Sequence, residues 1–128
     1  MQFEANTDQM PDAIRDSITK LRVKFIDSME YRILSLEASI ACLEQGGNER
    51  AKAAEEACRQ VHNTAGLASS LGFEEIGAVA LQADQTWSHA IKHGLSQSLM
   101  DPALEVTEQL LDLLERQIDT TIEAPGAA

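Results

Sequence analysis

Through the first third of the chain the apolar residues recur in steps of three and four without interruption: Ile14, Ile18, Leu21, Phe25, Met29, Ile33, Leu36, Ile40 and Leu43. That spacing puts them on one stripe of a helix and is incompatible with the period of two that a half-buried strand requires. Pro11 stands near the start, where a missing N–H costs nothing. A straight helix from Pro11 to Glu44 would run about 50 Å, long for a small domain. A bend or break is therefore expected near residues 20–27, although no Gly or Pro there marks one.

Three breaks divide the rest: Gln45-Gly46-Gly47-Asn48, a single Gly72, and His93-Gly94 followed by a polar loop to Asp101-Pro102. The segment from about Asn48 to Leu71 opens on an N-cap residue and carries Ala54, Cys58, Val61, Ala65, Ala68 and Leu71 at the same spacing. The segment from Phe73 to His93 carries Phe73, Ile76, Val79 or Ala80, Ala83, Trp87 and Ile91, with Leu81 off the line. The last runs from Pro102 to Ile122, with Asp101 as N-cap, Pro102 as first helical residue, and a stripe of Leu104, Leu110 or Leu111, Leu114 and Ile118. No segment is a β-branched run. Aromatic residues are only 4% of the chain, so the core must be Leu, Ile, Ala and Met, which favours helix-on-helix packing. The expected fold is all-α: an up-down antiparallel four-helix bundle with an N-terminal helical extension, spanning residues 11–122 between an N-terminal tail, 1–10, and a disordered C-terminal tail, 123–128.

The net charge of −11 disfavours nucleic acid and anionic membrane surfaces as partners, since both are bound through clustered Lys and Arg. Solubility is the first reading of that charge, with room for some steering towards a protein partner. No stretch has the ~18 consecutive apolar residues of a membrane span. Met1 to Asn6 lacks a basic region followed by an apolar run, so no signal peptide is expected, and the bland expectation is a cytoplasmic protein. Cys42 and Cys58 fall in apolar helical patterns and read as buried free thiols rather than a disulfide or metal site.

The second segment holds the residues that could do chemistry. His62 is one step, roughly 100°, round from the inward-facing Val61, at the edge of the stripe. Gly66 follows four residues on and Ser69 seven on, both on the His62 face. A glycine inside a helix costs up to ~1 kcal/mol relative to alanine and asks for compensation. Open space is the simplest one: with no side chain at 66, a group carried by another protein can reach the imidazole. The bland alternative is a surface histidine beside a glycine kept for helix packing. His89 and His93 share a helix face at metal-ligand spacing, but no third ligand is apparent and no metal is expected. There is no Gly-x-x-x-x-Gly-Lys-Ser/Thr loop, no Gly-x-Ser-x-Gly and no Asp-rich Mg²⁺ pocket, so the chain has no visible means of binding ATP.

Residues 58–84 resemble the histidine phosphotransfer family, which includes the phosphate-accepting domain of chemotaxis histidine kinases. The resemblance rests on His62, Thr64, Gly66, Ala68, Leu71, Gly72 and Asp84, and on Gly72-Phe73-Glu74-Glu75-Ile76 leading into the next helix. It implies that His62 is a phosphoacceptor in a two-component phosphorelay and exchanges its phosphoryl group with an aspartate of a response-regulator receiver domain. A hybrid histidine kinase is the implied second partner. Mg²⁺ is expected on the receiver, and no cofactor on this chain. Asp84 is then expected to hold one imidazole nitrogen, which fixes the tautomer and raises the basicity of the other. Gln85 and Ser88 are weaker neighbours. Asn63, Leu67 and Ser88 are candidate partner contacts, Leu67 because it falls off the core stripe. A monomer is expected rather than a dimer.

One position departs from the family pattern. Where the family usually has Lys, three residues after the histidine, this chain has Ala65. A cation there would stabilise the phosphorylated form by ~1 kcal/mol. Arg59, three residues before His62, is the candidate substitute, unless it pairs with Glu55 or Glu56. The departure leaves other readings open: a fast relay whose phosphohistidine is short-lived, or a degenerate bundle that binds and regulates a receiver or kinase without taking phosphate.

Overall fold

The structure is a computed structural model that describes residues 10–123. Five helices follow in order: α1 (Asp12–Asp27), α2 (Met29–Gln45), α3 (Arg50–Ser70), α4 (Glu74–Lys92) and α5 (Gln97–Glu123), with no strand among the described residues. Apart from Met10 and Glu123, the two expected tails lie outside the described residues.

Helices α2 to α5 form the bundle. Each packs on its neighbours in the chain, and α5 closes the ring against α2; the contact between α3 and α4 is the most extensive. Along α3 and α4 the partners run in opposite directions: Cys58 faces Ser88, His62 faces Asp84 and Ser69 faces Gly77. Met29, Leu36, Val61, Trp87, Leu110 and Leu114 are fully enclosed at the centre. The Trp87 indole N–H donates to Thr107 Oγ1 at 2.9 Å, so the largest core side chain is also satisfied polarly.

The long first segment is broken, one residue beyond the expected window, at Ser28. Its hydroxyl donates to the Phe25 carbonyl at 2.7 Å, taking an acceptor the continuing helix would use. The stripe loses its meaning before that point. Phe25 is the only buried residue of α1, while Ile14 and Leu21 remain half exposed, because α1 is the extension and has no bundle helix along its whole length. It is anchored at the end of α3, where Arg22 donates to the Leu71 carbonyl and lies 4.4 Å over the Phe73 ring. Phe25 meets the same ring at 5.2 Å.

Two helix starts differ from the sequence expectation. Asn48 does not cap α3: the residue before its first turn is Glu49, with no side-chain cap bond. Helix α5 begins at Gln97, five residues before Pro102, which is therefore inside the helix and not at its first position. The Ser96 carbonyl accepts the N–H groups of Leu99 and Met100, and the added turn buries Met100 in the core. Because Pro102 still falls near the N-terminus, its missing donor removes one early bond only.

Gly72 ends α3 as its position suggests. Its φ of +84° is left-handed, and the chain turns so that the Phe73 N–H reaches the Ala68 carbonyl at 2.9 Å. That turn brings α4 back along α3 and sets the register of the two helices.

Candidate functional site

Small residues build the platform on which His62 stands. Ala54, Ala57, Ala68, Ala80 and Ala83 are all fully buried, and a Cβ on Gly77 would lie 2.6 Å from Ser69 Oγ. Such close packing lets two short side chains meet across α3 and α4. His62 Nδ1 and Asp84 Oδ2 are 2.9 Å apart, the imidazole 76% exposed and the carboxylate 17%. A carboxylate can only accept, so the contact fits a ring with its proton on Nδ1, which in the neutral imidazole leaves the lone pair on Nε2. No hydrogen bond among the described residues engages Nε2.

The other oxygen of Asp84 is held too. Cys58, one turn before His62, places Sγ 3.5 Å from Asp84 Oδ1 and 3.4 Å from Ser88 Oγ. Burial, together with the nearby Asp84 charge, pushes the Cys58 thiol above its ordinary range, while the Ser88 hydrogen bond pulls the other way. The thiol thus remains protonated and able to donate.

Gly66 lies open on the same side of α3. A Cβ built there would meet nothing within 4 Å, so packing inside this chain does not call for glycine. Leu67 is 39% exposed. With Leu21, Phe25 and Leu71 it lines a largely apolar groove of about 320 Å³ between α1 and α3, edged by Lys24 and Arg32.

The remaining expected site residues are more dispersed. Arg59 turns to Glu56, donating to it through Nε at 3.1 Å and through Nη2, and does not reach His62. The same hydrogen bonds hold the Glu56 carboxyl below its usual range and raise the Arg59 guanidinium. Ala65 is in the core at 7% exposure. Ser69 packs on Gly77, a full two turns from His62. Gln85 is exposed on α4. Asn63 is exposed, yet its Oδ1 accepts from Arg32 Nη1 at 2.8 Å.

Sequence reasoning passed over two residues here. Cys58 looked like one more member of the apolar stripe; the four-residue spacing to His62 was the signal that both share a face. Arg32 is buried between α2 and α3, donating to Ser28 Oγ, Asn63 Oδ1 and Thr64 Oγ1 at 2.8–2.9 Å. Burial lowers its guanidinium pKa from the ordinary value. A lone charge between Tyr31 and Ile33 gives no warning of that role. The His89 and His93 rings meet at 4.5 Å, tilted by 50°, and no group of three potential metal ligands occurs among the described residues. No helix among them is long and apolar enough to cross a membrane.

Neither the curated proteins nor the solved structures contain a match to the chain. The family model of the Hpt domain does match, over residues 20–124, which takes in all of α2 to α5 and the part of α1 that touches the bundle. A four-helix bundle with a histidine at mid-helix and a match of that extent make one conclusion: the chain belongs to the Hpt domain family, the histidine phosphotransfer modules of phosphorelays.

Proposed function

We propose that His62 is the phosphoacceptor and that it exchanges a phosphoryl group with an aspartate of a response-regulator receiver domain. The observation that carries this reading is the pairing of Nδ1 with Asp84, which leaves Nε2 as an oriented nucleophile beside the open face of Gly66. In the forward step the Nε2 lone pair attacks phosphorus, the bond to the receiver's aspartate oxygen breaks, and that aspartate leaves as a carboxylate. The ring keeps its Nδ1 proton, and Asp84 balances the positive charge that develops on it. Mg²⁺ on the receiver would neutralise the phosphoryl oxygens, and this chain contributes positioning. A hybrid histidine kinase is the proposed second partner.

The receiver would dock over Gly66, with Leu67 and its groove as the apolar contact and Asn63 and Ser88 at the rim. Arg32 holds Asn63 in place for that role. Nucleophile and orienting carboxylate both come from one chain, which supports a monomer as the working form. We place its work in the cytoplasm, where receivers and kinase domains act.

A second reading has one observation in its favour. Ala65 is buried and Arg59 is engaged by Glu56, so no cation pairs with the His62 ring among the described residues. A degenerate bundle that binds a receiver or kinase without taking phosphate would look the same.

The test is incubation with a phosphorylated receiver, or with kinase, receiver and ATP. Acid-labile, alkali-stable label on this chain is expected, and it should vanish in His62→Gln. Label that survives the substitution, or no label with any receiver of the source organism, rejects the carrier reading.

A further inference from the structure

Asp84 can orient His62 only if its own carboxylate is held, and one side chain is placed to hold it. Cys58 Sγ lies 3.5 Å from Asp84 Oδ1, within range for a thiol donor, while Oδ2 of the same carboxylate faces His62 Nδ1 at 2.9 Å. Ser88 Oγ, 3.4 Å from the sulfur, can donate to it and so leave the single S–H proton for Asp84, whose Oδ1 is nearer to the sulfur than its backbone carbonyl at 4.0 Å. The directions are then consistent along the row: Ser88 O–H to Cys58 Sγ, Cys58 S–H to Asp84 Oδ1, and His62 Nδ1–H to Asp84 Oδ2.

We infer that Cys58 is a positioning residue for His62: its thiol donates to Asp84 and pins the carboxylate in the rotamer that keeps the Nδ1 proton and frees Nε2. Two further observations agree. Cys58 is half-buried and the Asp84 carboxylate mostly so, which partly shields the bond from competing water. Its raised pKa keeps the donor proton in place at neutral pH. A thiolate would be an acceptor facing a carboxylate, and the row would break.

The experiment reads the His62 tautomer from ring ¹⁵N shifts of the unphosphorylated protein at about pH 8, where imidazole side chains are mostly neutral. His62→Gln identifies its signals among the three histidines. The wild type is expected to be mainly the Nδ1–H form. Cys58→Ala should move the ratio towards Nε2–H by about twofold, the size expected of one weak S–H bond. Cys58→Ser, which keeps a donor, should stay near the wild type. Phosphoryl transfer should slow by a similar factor in Cys58→Ala and recover in Cys58→Ser. An unchanged tautomer ratio in Cys58→Ala overturns the inference. So does an equal change in both variants, which would assign the effect to lost packing, and so does a wild type that is mainly Nε2–H.

The effect on rate presupposes the transfer at His62 proposed above. The tautomer does not, because it belongs to the unphosphorylated protein. Absence of label with the tautomer shift intact rejects phosphotransfer and keeps Cys58 in its role; label without the shift does the reverse.

Discussion

Across the α3–α4 interface, His62 Nδ1 meets Asp84 Oδ2 at 2.9 Å, with the acid mostly sheltered and the ring mostly in solvent. The orienting partner is thus held from inside while the reactive edge faces out. A hydrogen bond to a charged group contributes about 1.5–3 kcal/mol, so its loss should slow phosphoryl uptake by about tenfold to a hundredfold. Asp84→Ala should show the full effect. Asp84→Asn, which keeps an acceptor but loses the charge, should fall between it and the wild type. Initial rates of label transfer from a phosphorylated receiver measure this, with helical circular dichroism unchanged in both variants.

Gly66→Ala should separate stability from function. Nothing stands within 4 Å of the added methyl, so the helix gains up to about 1 kcal/mol in a urea titration. Transfer from the receiver should nonetheless slow, because the methyl occupies the face that the partner needs. Unchanged transfer would place the docking surface elsewhere.

How much of this was readable beforehand depends on the kind of signal. The helical stripes and the His62-Gly66-Leu71-Gly72 spacing are local, and a local period survives folding. Asp101-Pro102 is an equally local start signal, and it misled: Met100 is worth burying, and that tertiary gain extends α5 back to Gln97. Ile14 and Leu21 share the period of Phe25, but periodicity does not say how far the neighbouring helix reaches. The contact of Cys58 with Asp84 depends on the register of α3 against α4, which no single segment carries.

Arg32 should prove to be a clamp. It joins Ser28, Asn63 and Thr64 from a buried position, and Arg32→Ala leaves Thr64 and the end of α1 without it. A loss of about 2–3 kcal/mol is expected by urea denaturation. Arg32→Lys should recover little of it, since an ammonium cannot span three acceptors in a fixed fork.

The half-buried Cys58 thiol gives a pH dependence of definite sign. The folded Cys58 pKa is raised, so the folded state binds its proton more tightly than the unfolded chain does. This contribution to stability is full below the unfolded thiol's pKa and is lost as pH rises through the higher folded value. In a Cys42→Ala background, iodoacetamide should accordingly label Cys58 more slowly in buffer at about pH 8.5 than in urea. Equal rates would mean that the thiol is not shielded.

Thr107→Val tests the polar contact at the core. It removes the acceptor of the Trp87 indole at nearly constant shape, leaving a buried N–H unpaired at a cost of about 1–3 kcal/mol. Thermal unfolding should register the loss, and Thr107→Ser should restore much of it.

The alanines and Gly77 between α3 and α4 also act as a ruler. The gap they set is spanned by an imidazole on one side and a carboxylate on a single methylene on the other. A glutamate at 84 carries one methylene more than that contact uses, and a leucine at 83 would need room where Ala83 is fully buried. The distance between two backbones, set by residues with almost no side chain, is therefore part of how the acid reaches the histidine.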